Sequence, residues 1–109
     1  MTVRLPTPIS AYFDADRQGD VEAVAACFTE DAAVTDEGTT NHGHEAVRAW
    51  KRKASRAYSY SVEPFAMVSA DDRTIVTAHV RGDFPGSPVD LRYYFKLAGD
   101  RISALEIVA

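Results

Sequence analysis

The sequence predicts an α+β domain: three N-terminal helices lie across one face of a curved antiparallel sheet. Two observations carry this. Apolar residues recur every three to four positions through the first half of the chain and every second position through most of the rest, so helical periodicity gives way to strand periodicity. Turn signals then separate the alternating runs at Asp71-Asp72, between Gly82 and Pro88, and at Gly99-Asp100. Helices first and strands afterwards is the order of an α+β fold.

Each element follows from local chemistry. Pro6-Thr7-Pro8 is a rigid lead-in to a helix that carries Ile9, Tyr12 and Phe13 at helical spacing. Gly19 stops it, and Asp20 caps a second helix that turns Val21, Val24, Ala25 and Phe28 toward the core. Ala32 to Asp36 reads as a short strand, and Glu37-Gly38-Thr39-Thr40 turns the chain back. Gly43 to Ala57 is the longest helix, with Ala46, Val47, Trp50 and Ala54 as its apolar stripe. Four β segments follow. Tyr58, Tyr60 and Val62 alternate with polar residues in the first, and Val76, Ala78 and Val80 in the second. In the third, Leu91, Tyr93, Phe95 and Leu97 share one face and Arg92, Tyr94 and Lys96 the other; Ile102 to Val108 forms the last.

Composition bounds the function. The 109 residues are expected to form a single domain, 1–109, with a hydrophobic fraction of 46% that is ordinary for a globular chain. No apolar run approaches the roughly 20 residues of a membrane span, so no membrane partner is expected. The segment Met1 to Pro6 lacks the apolar core of a signal peptide, which makes a cytoplasmic location the expectation. A single cysteine, Cys27, excludes an internal disulfide and a multi-thiolate zinc site. The net charge of −4 argues against nucleic acid. That charge is segregated: residues 46–62 hold Arg48, Lys51, Arg52, Lys53 and Arg56 without one acid. The simplest account of this stripe is a solvated helix face with cations toward its C-terminal end.

The run Tyr12, Gly19-Asp20, Phe28-Thr29-Glu30-Asp31-Ala32, Val34-Thr35-Asp36, Gly43, Ala46-Val47-Arg48 and Trp50 resembles the nuclear transport factor 2-like superfamily. It is most similar to the polyketide cyclase-like (SnoaL-like) and ketosteroid isomerase-like branch, over essentially the whole chain. The resemblance implies a cystatin-like curved antiparallel sheet that closes with the three helices into a cone around a pocket for a small apolar or aromatic molecule. It also implies roles. Asp36 would be the base that moves a proton beside a carbonyl, and Tyr12 the neutral donor that stabilises the enolate. Where ketosteroid isomerases place a protonated acid as second donor, this sequence has Tyr93. The tyrosines that support the first-helix hydroxyl in those isomerases are replaced, with Phe28 and Lys51 near their places. The requirement of the cyclase-like members, one acid/base carboxylate, is the one this sequence meets.

Trp50, Tyr93, Phe95, Phe28 and Asp16 are expected to line the pocket and bind substrate, Asp16 lying one turn beyond Tyr12 on the same helix face. An exposed Asp16 is an equal alternative, because the dipole opposes an acid near a helix C-terminus. Asp36 could instead cap its own turn. His42 and His44 fall close to Asp36 and Glu37, but the implied fold puts the His-Gly-His turn at the rim, so no metal is expected. Proton transfer by carboxylate and phenol needs no cofactor. His79, Arg81, Arg92, Tyr94 and Lys96 share the outer sheet face, a mixed aromatic and cationic surface suited to pairing with a second copy of the chain. The function expected is thus an isomerase or aldol cyclase acting on a small apolar substrate. The alternative is a non-catalytic ligand-binding or association domain of the same fold.

Overall fold

Pro6, held at φ −53° and ψ 148°, cannot continue backward as helix, and the first helix, α1 (Thr7–Gln18), begins immediately after it. The structure is a computed structural model that describes residues 3–57 and 59–109. Gly19 ends α1 in the left-handed conformation at φ 68°, where its lack of a Cβ removes the steric cost. Asp20 then accepts a hydrogen bond from the Ala23 amide at 3.1 Å and caps α2 (Val21–Ala26).

The chain leaves α2 earlier than its apolar spacing suggests. Phe28 is not a helix residue: it opens β1 (Phe28–Asp36), fully buried, and the strand is four residues longer at its start than the Ala32–Asp36 segment predicted. Glu37 and Gly38, at φ 52° and 77°, form a two-residue hairpin loop of the kind whose twist suits adjacent strands. Thr39 and Thr40, expected as turn, therefore begin a further strand, β2 (Thr39–His42). The longest helix is α3 (His44–Ala57), with Gly43 just outside it at φ 88°. Then come β3 (Tyr60–Ala70), β4 (Arg73–Gly82), β5 (Val89–Ala98) and β6 (Arg101–Val108). Tyr58, placed in the first of the four late strands by its sequence pattern, lies outside the described residues.

The six strands form one sheet in the order β2-β1-β6-β5-β4-β3. All neighbours are antiparallel except β1 and β6, which run parallel, as when Val34 pairs with Leu105 and Asp36 with Ile107. Irregularities between Phe28 and Ala33, Pro64 and Ala66, and Lys96 and Leu97 bend the strands they interrupt. The inner face then wraps toward the helices. Val76, Ala78, Val80, Tyr93 and Phe95 point inward and are buried, whereas Arg92 and Lys96 on the alternate positions of β5 are exposed. The helices supply Ile9, Tyr12, Phe13, Val24 and Val47 to the same core.

Aromatic rings dominate this interior. The Tyr12 ring meets Phe13, Phe28 and Phe95 edge-on at centroid distances of 5.1, 5.8 and 5.7 Å. Phe13 meets Tyr93 in the same way at 5.1 Å. Edge-to-face pairs of this kind add about 0.5–1.5 kcal/mol each beyond area burial. They hold the two tyrosines, each at one end of the ring cluster, in fixed orientations. No helix among the described residues is long and apolar enough to cross a membrane.

Candidate functional site

Asp36 ends β1, still paired with Thr39 of β2 and Ile107 of β6, and its side chain reaches α3. Trp50, one of the apolar-stripe residues of α3, donates its indole Nε1–H to Asp36 Oδ2 at 3.0 Å. Both are half-buried. This bond engages one carboxylate oxygen and leaves the other available to accept a proton.

Tyr12 from α1 and Tyr93 from β5 both feel the charge of this carboxylate. Burial pushes the Tyr12 phenol well above the ordinary tyrosine range, and the neighbouring Tyr93, Tyr60 and Asp36 push it further in the same direction. Burial, then Tyr60 and Asp36, raise Tyr93 likewise. Both phenols are therefore neutral hydrogen-bond donors at physiological pH. A carboxylate bonded through one oxygen, whose charge reaches two neutral phenols, has the groups suited to taking a proton from carbon while holding the oxygen that becomes negative.

Asp16 is neither exposed nor alone. Its side chain is buried at 6% exposure and paired with Lys51 Nζ, a side chain itself only 3% exposed. Lys51 also donates to the Tyr60 hydroxyl at 2.7 Å, and that hydroxyl lies 3.4 Å from Asp16 Oδ1. The ammonium stands 5.4 Å from the ring centroids of both Trp50 and Tyr60. Lys51 thus departs from the solvated stripe to which its sequence neighbours assign it. Arg48 and Arg52 do keep to the surface, meeting Glu22 of α2 at 3.0 and 3.9 Å. A signal for Lys51 was present. It sits four residues after Val47 and three before Ala54, on the apolar stripe itself, and a cation there must find a buried partner. Tyr60, read only as one of the alternating residues of a strand, had no comparable local mark.

The remaining expected residues divide. Asp36 bonds to Trp50, whose ring also meets the Lys51 ammonium paired with Asp16, while Tyr12 and Tyr93 belong to the aromatic core. Phe28 and Phe95 pack behind the Tyr12 ring at zero exposure and form its apolar backing. His42 and His44 are spent on main-chain carbonyls, at Asp31 and Phe28, over 2.9 and 2.8 Å. No group of His, Cys, Asp and Glu among the described residues has the arrangement of a metal site. Cys27 caps the end of α2, its Sγ 3.3 Å from the Ala23 carbonyl oxygen, and burial raises its thiol above the ordinary value.

With the fold and site in place, comparison with known proteins identifies the family. The SnoaL-like domain pattern matches residues 9–104. The chain belongs to the SnoaL-like domain family. A candidate polyketide cyclase from Sinorhizobium meliloti is 42% identical, with 95% of each chain covered and a TM-score of 0.91. A protein of ketosteroid isomerase-like fold from Catenulispora acidiphila, solved in complex with trimethylamine, is 19% identical over 97% of this chain and 87% of its own, with a TM-score of 0.86. SalBIII, an epoxide hydrolase/cyclase-like enzyme with a role in pyran ring formation in salinomycin, is 20% identical over 92% of this chain and 85% of its own, at a TM-score of 0.79. The last two share the fold with this SnoaL-like domain. No curated protein matches the sequence.

Proposed function

We propose that this SnoaL-like protein moves a proton beside a carbonyl of a small, largely apolar substrate, in an isomerisation or an aldol ring closure. The observation that carries this reading is the position of Asp36: tied to Trp50 through one oxygen, half-buried, and close enough for its charge to act on the neutral phenols of Tyr12 and Tyr93. Asp36 takes the proton from the carbon next to the carbonyl. Tyr12 and Tyr93 donate to the carbonyl oxygen as it becomes an enolate. The buried rings of Tyr12, Phe28, Tyr93 and Phe95 keep water from this part of the interior, which strengthens both effects. The 42% identical candidate polyketide cyclase supports the cyclase form of this chemistry. A second reading, ligand binding without turnover, is supported by the tie between Asp36 and Trp50, which would hold a ligand's donor group as well as it holds a base.

One measurement separates them. Hydrogen–deuterium exchange beside the carbonyl of small apolar ketones and diketones, followed by NMR in heavy water, is expected to be catalysed by the protein. The Asp36→Asn variant should lose about a hundredfold or more of that rate while keeping its melting temperature within a few degrees. An equal rate in Asp36→Asn removes the base assignment. Ketone binding with no exchange in either protein leaves the binding reading in its place.

A further inference from the structure

The proton-transfer reading uses Asp36, Tyr12 and Tyr93 and leaves a buried polar group unexplained. Lys51, Asp16 and Tyr60 come from α3, α1 and β3; the side chains of Lys51 and Asp16 are enclosed and Tyr60 is half-buried. Burying a lysine and an aspartate in an apolar interior costs several kcal/mol per ion that a hydrophobic pair would not. A purely structural role could be filled by apolar residues of similar volume. The geometry has a direction as well. Lys51 donates to the Tyr60 hydroxyl over a short 2.7 Å, so the phenol oxygen accepts there and its own proton must point elsewhere. The only acceptor for that proton among the described residues is Asp16 Oδ1 at 3.4 Å, longer than a good O–H···O bond. The Tyr60 proton therefore has no well-placed acceptor among the described residues, on a phenol whose oxygen an ammonium already holds.

We propose that Tyr60 is a second acid of this site, delivering its proton to a substrate oxygen and regaining one from Lys51, whose charge Asp16 balances. The proposal rests on the proton-transfer reading and narrows its substrate class. An isomerase needs one base that returns its proton to carbon. A ring closure also needs an acid for the second carbonyl, whose oxygen becomes an alkoxide when the new carbon–carbon bond forms. In that step the carbanion pair forms the C–C bond and the C=O π pair moves to oxygen. The Tyr60 O–H bond breaks as the alkoxide O–H forms, and one Lys51 N–H proton crosses to the phenolate. Asp36 ends protonated and Lys51 neutral, and exchange with water restores both.

The energetics run the same way. Burial lowers Lys51 to about 8, while burial and the Asp36 charge raise the Tyr60 phenol above its ordinary value, so a proton passes downhill from Lys51 to a Tyr60 phenolate. The groups that face this pair are Asp16 and Tyr12 from α1, Asp36 from β1 and Tyr93 from β5. Tyr60 is thereby assigned as a catalytic residue, and Lys51 and Asp16 as residues that position and recharge it.

The test is binding of 4-nitrophenol, whose phenolate and phenol forms absorb differently, to the full chain carrying Asp36→Asn, which removes the charge that would repel a bound oxyanion. The phenolate is expected to bind, and its affinity to fall as pH rises through about 8, when Lys51 loses its proton. Adding Tyr60→Phe should weaken phenolate binding about tenfold and flatten this pH dependence. Adding Lys51→Arg should keep the affinity but abolish the fall near pH 8, since a guanidinium stays charged. Unchanged affinity and an unchanged pH profile in Tyr60→Phe overturn the relay even if Lys51→Arg fails to fold. That result leaves the Asp36 assignment standing, because deuterium exchange reports on Asp36 separately. Failure of the Asp36→Asn protein to bind the probe at any pH overturns the relay as well.

Discussion

At the scale of single residues, Lys51 shows how much one buried charge controls. Its partner Asp16 is nearly as enclosed as it is, with side-chain exposures of 6% and 3%. Truncating one member of such a pair leaves the other charged in a low-dielectric interior, and that uncompensated charge is the larger penalty. Lys51→Met is accordingly expected to destabilise the fold by about 3–5 kcal/mol in urea unfolding. Asp16→Asn combined with Lys51→Met should recover most of that loss, because the neutral pair needs no ionic partner. Equal midpoints for wild type and Lys51→Met would show that water already reaches the pair. Asp36 differs from this pattern. It is half-buried and keeps one oxygen uncommitted, so replacing it with Asn removes chemistry more than stability.

At the scale of elements, the open end of the β3–β4 ladder sets where Tyr60 stands. Tyr60 pairs with Gly82 at the end of the ladder. A methyl group on Gly82 would fall 2.7 Å from the Tyr60 Cβ and 2.8 Å from its Cα, and closer still to the Ser59 carbonyl oxygen. Two of those three atoms are backbone and cannot swing aside, so Gly82 is required by close approach. Gly82→Ala should cost about 1–3 kcal/mol, measured by thermal or urea unfolding, as the strand end shifts to relieve the overlap. It should also weaken the Lys51–Tyr60 contact, since Tyr60 moves with its backbone. A variant as stable as wild type would mean that the strand end yields freely. Gly19 acts differently: the space around it is open, and its left-handed backbone at φ 68° alone explains the residue.

At the scale of the whole molecule, the outer face of the sheet is left without a covering layer of helices. Phe65 and Val68 are 41% and 60% exposed there, and Phe65 stacks on His79 at a centroid distance of 4.0 Å. Arg73 lies 5.2 Å from the Tyr94 ring centroid on the same face, and His79 is bonded to Asp90. Exposed aromatic and aliphatic side chains among Arg and His make the composition of a subunit interface. We propose that this face pairs with a second copy. Sedimentation equilibrium at tens of micromolar should give a dimer mass, and Phe65→Asp with Val68→Asp should give a monomer. A monomer mass for the wild type would defeat the proposal.

Much of this was legible in the chain itself. The change from helical to strand period placed α1, α3 and the four late strands, because those patterns are local consequences of burying one face. Gly19-Asp20 marked the break between α1 and α2 for the same reason. The short strand β2 and the early start of β1 were not legible. β2 exists because β1 is beside it to accept its hydrogen bonds, and its residues Thr39 to His42 carry no apolar alternation. The site divides along the same line. Asp36, Tyr12 and Tyr93 could be named from the resemblance of the sequence to its family. The union of Asp16 with Lys51 and Tyr60 was decided only in three dimensions, since Asp16 and Tyr60 stand 44 positions apart. Sequence pattern reports which face of an element avoids water. Which buried polar group meets which is settled when the elements pack, because only then does each buried charge acquire a partner.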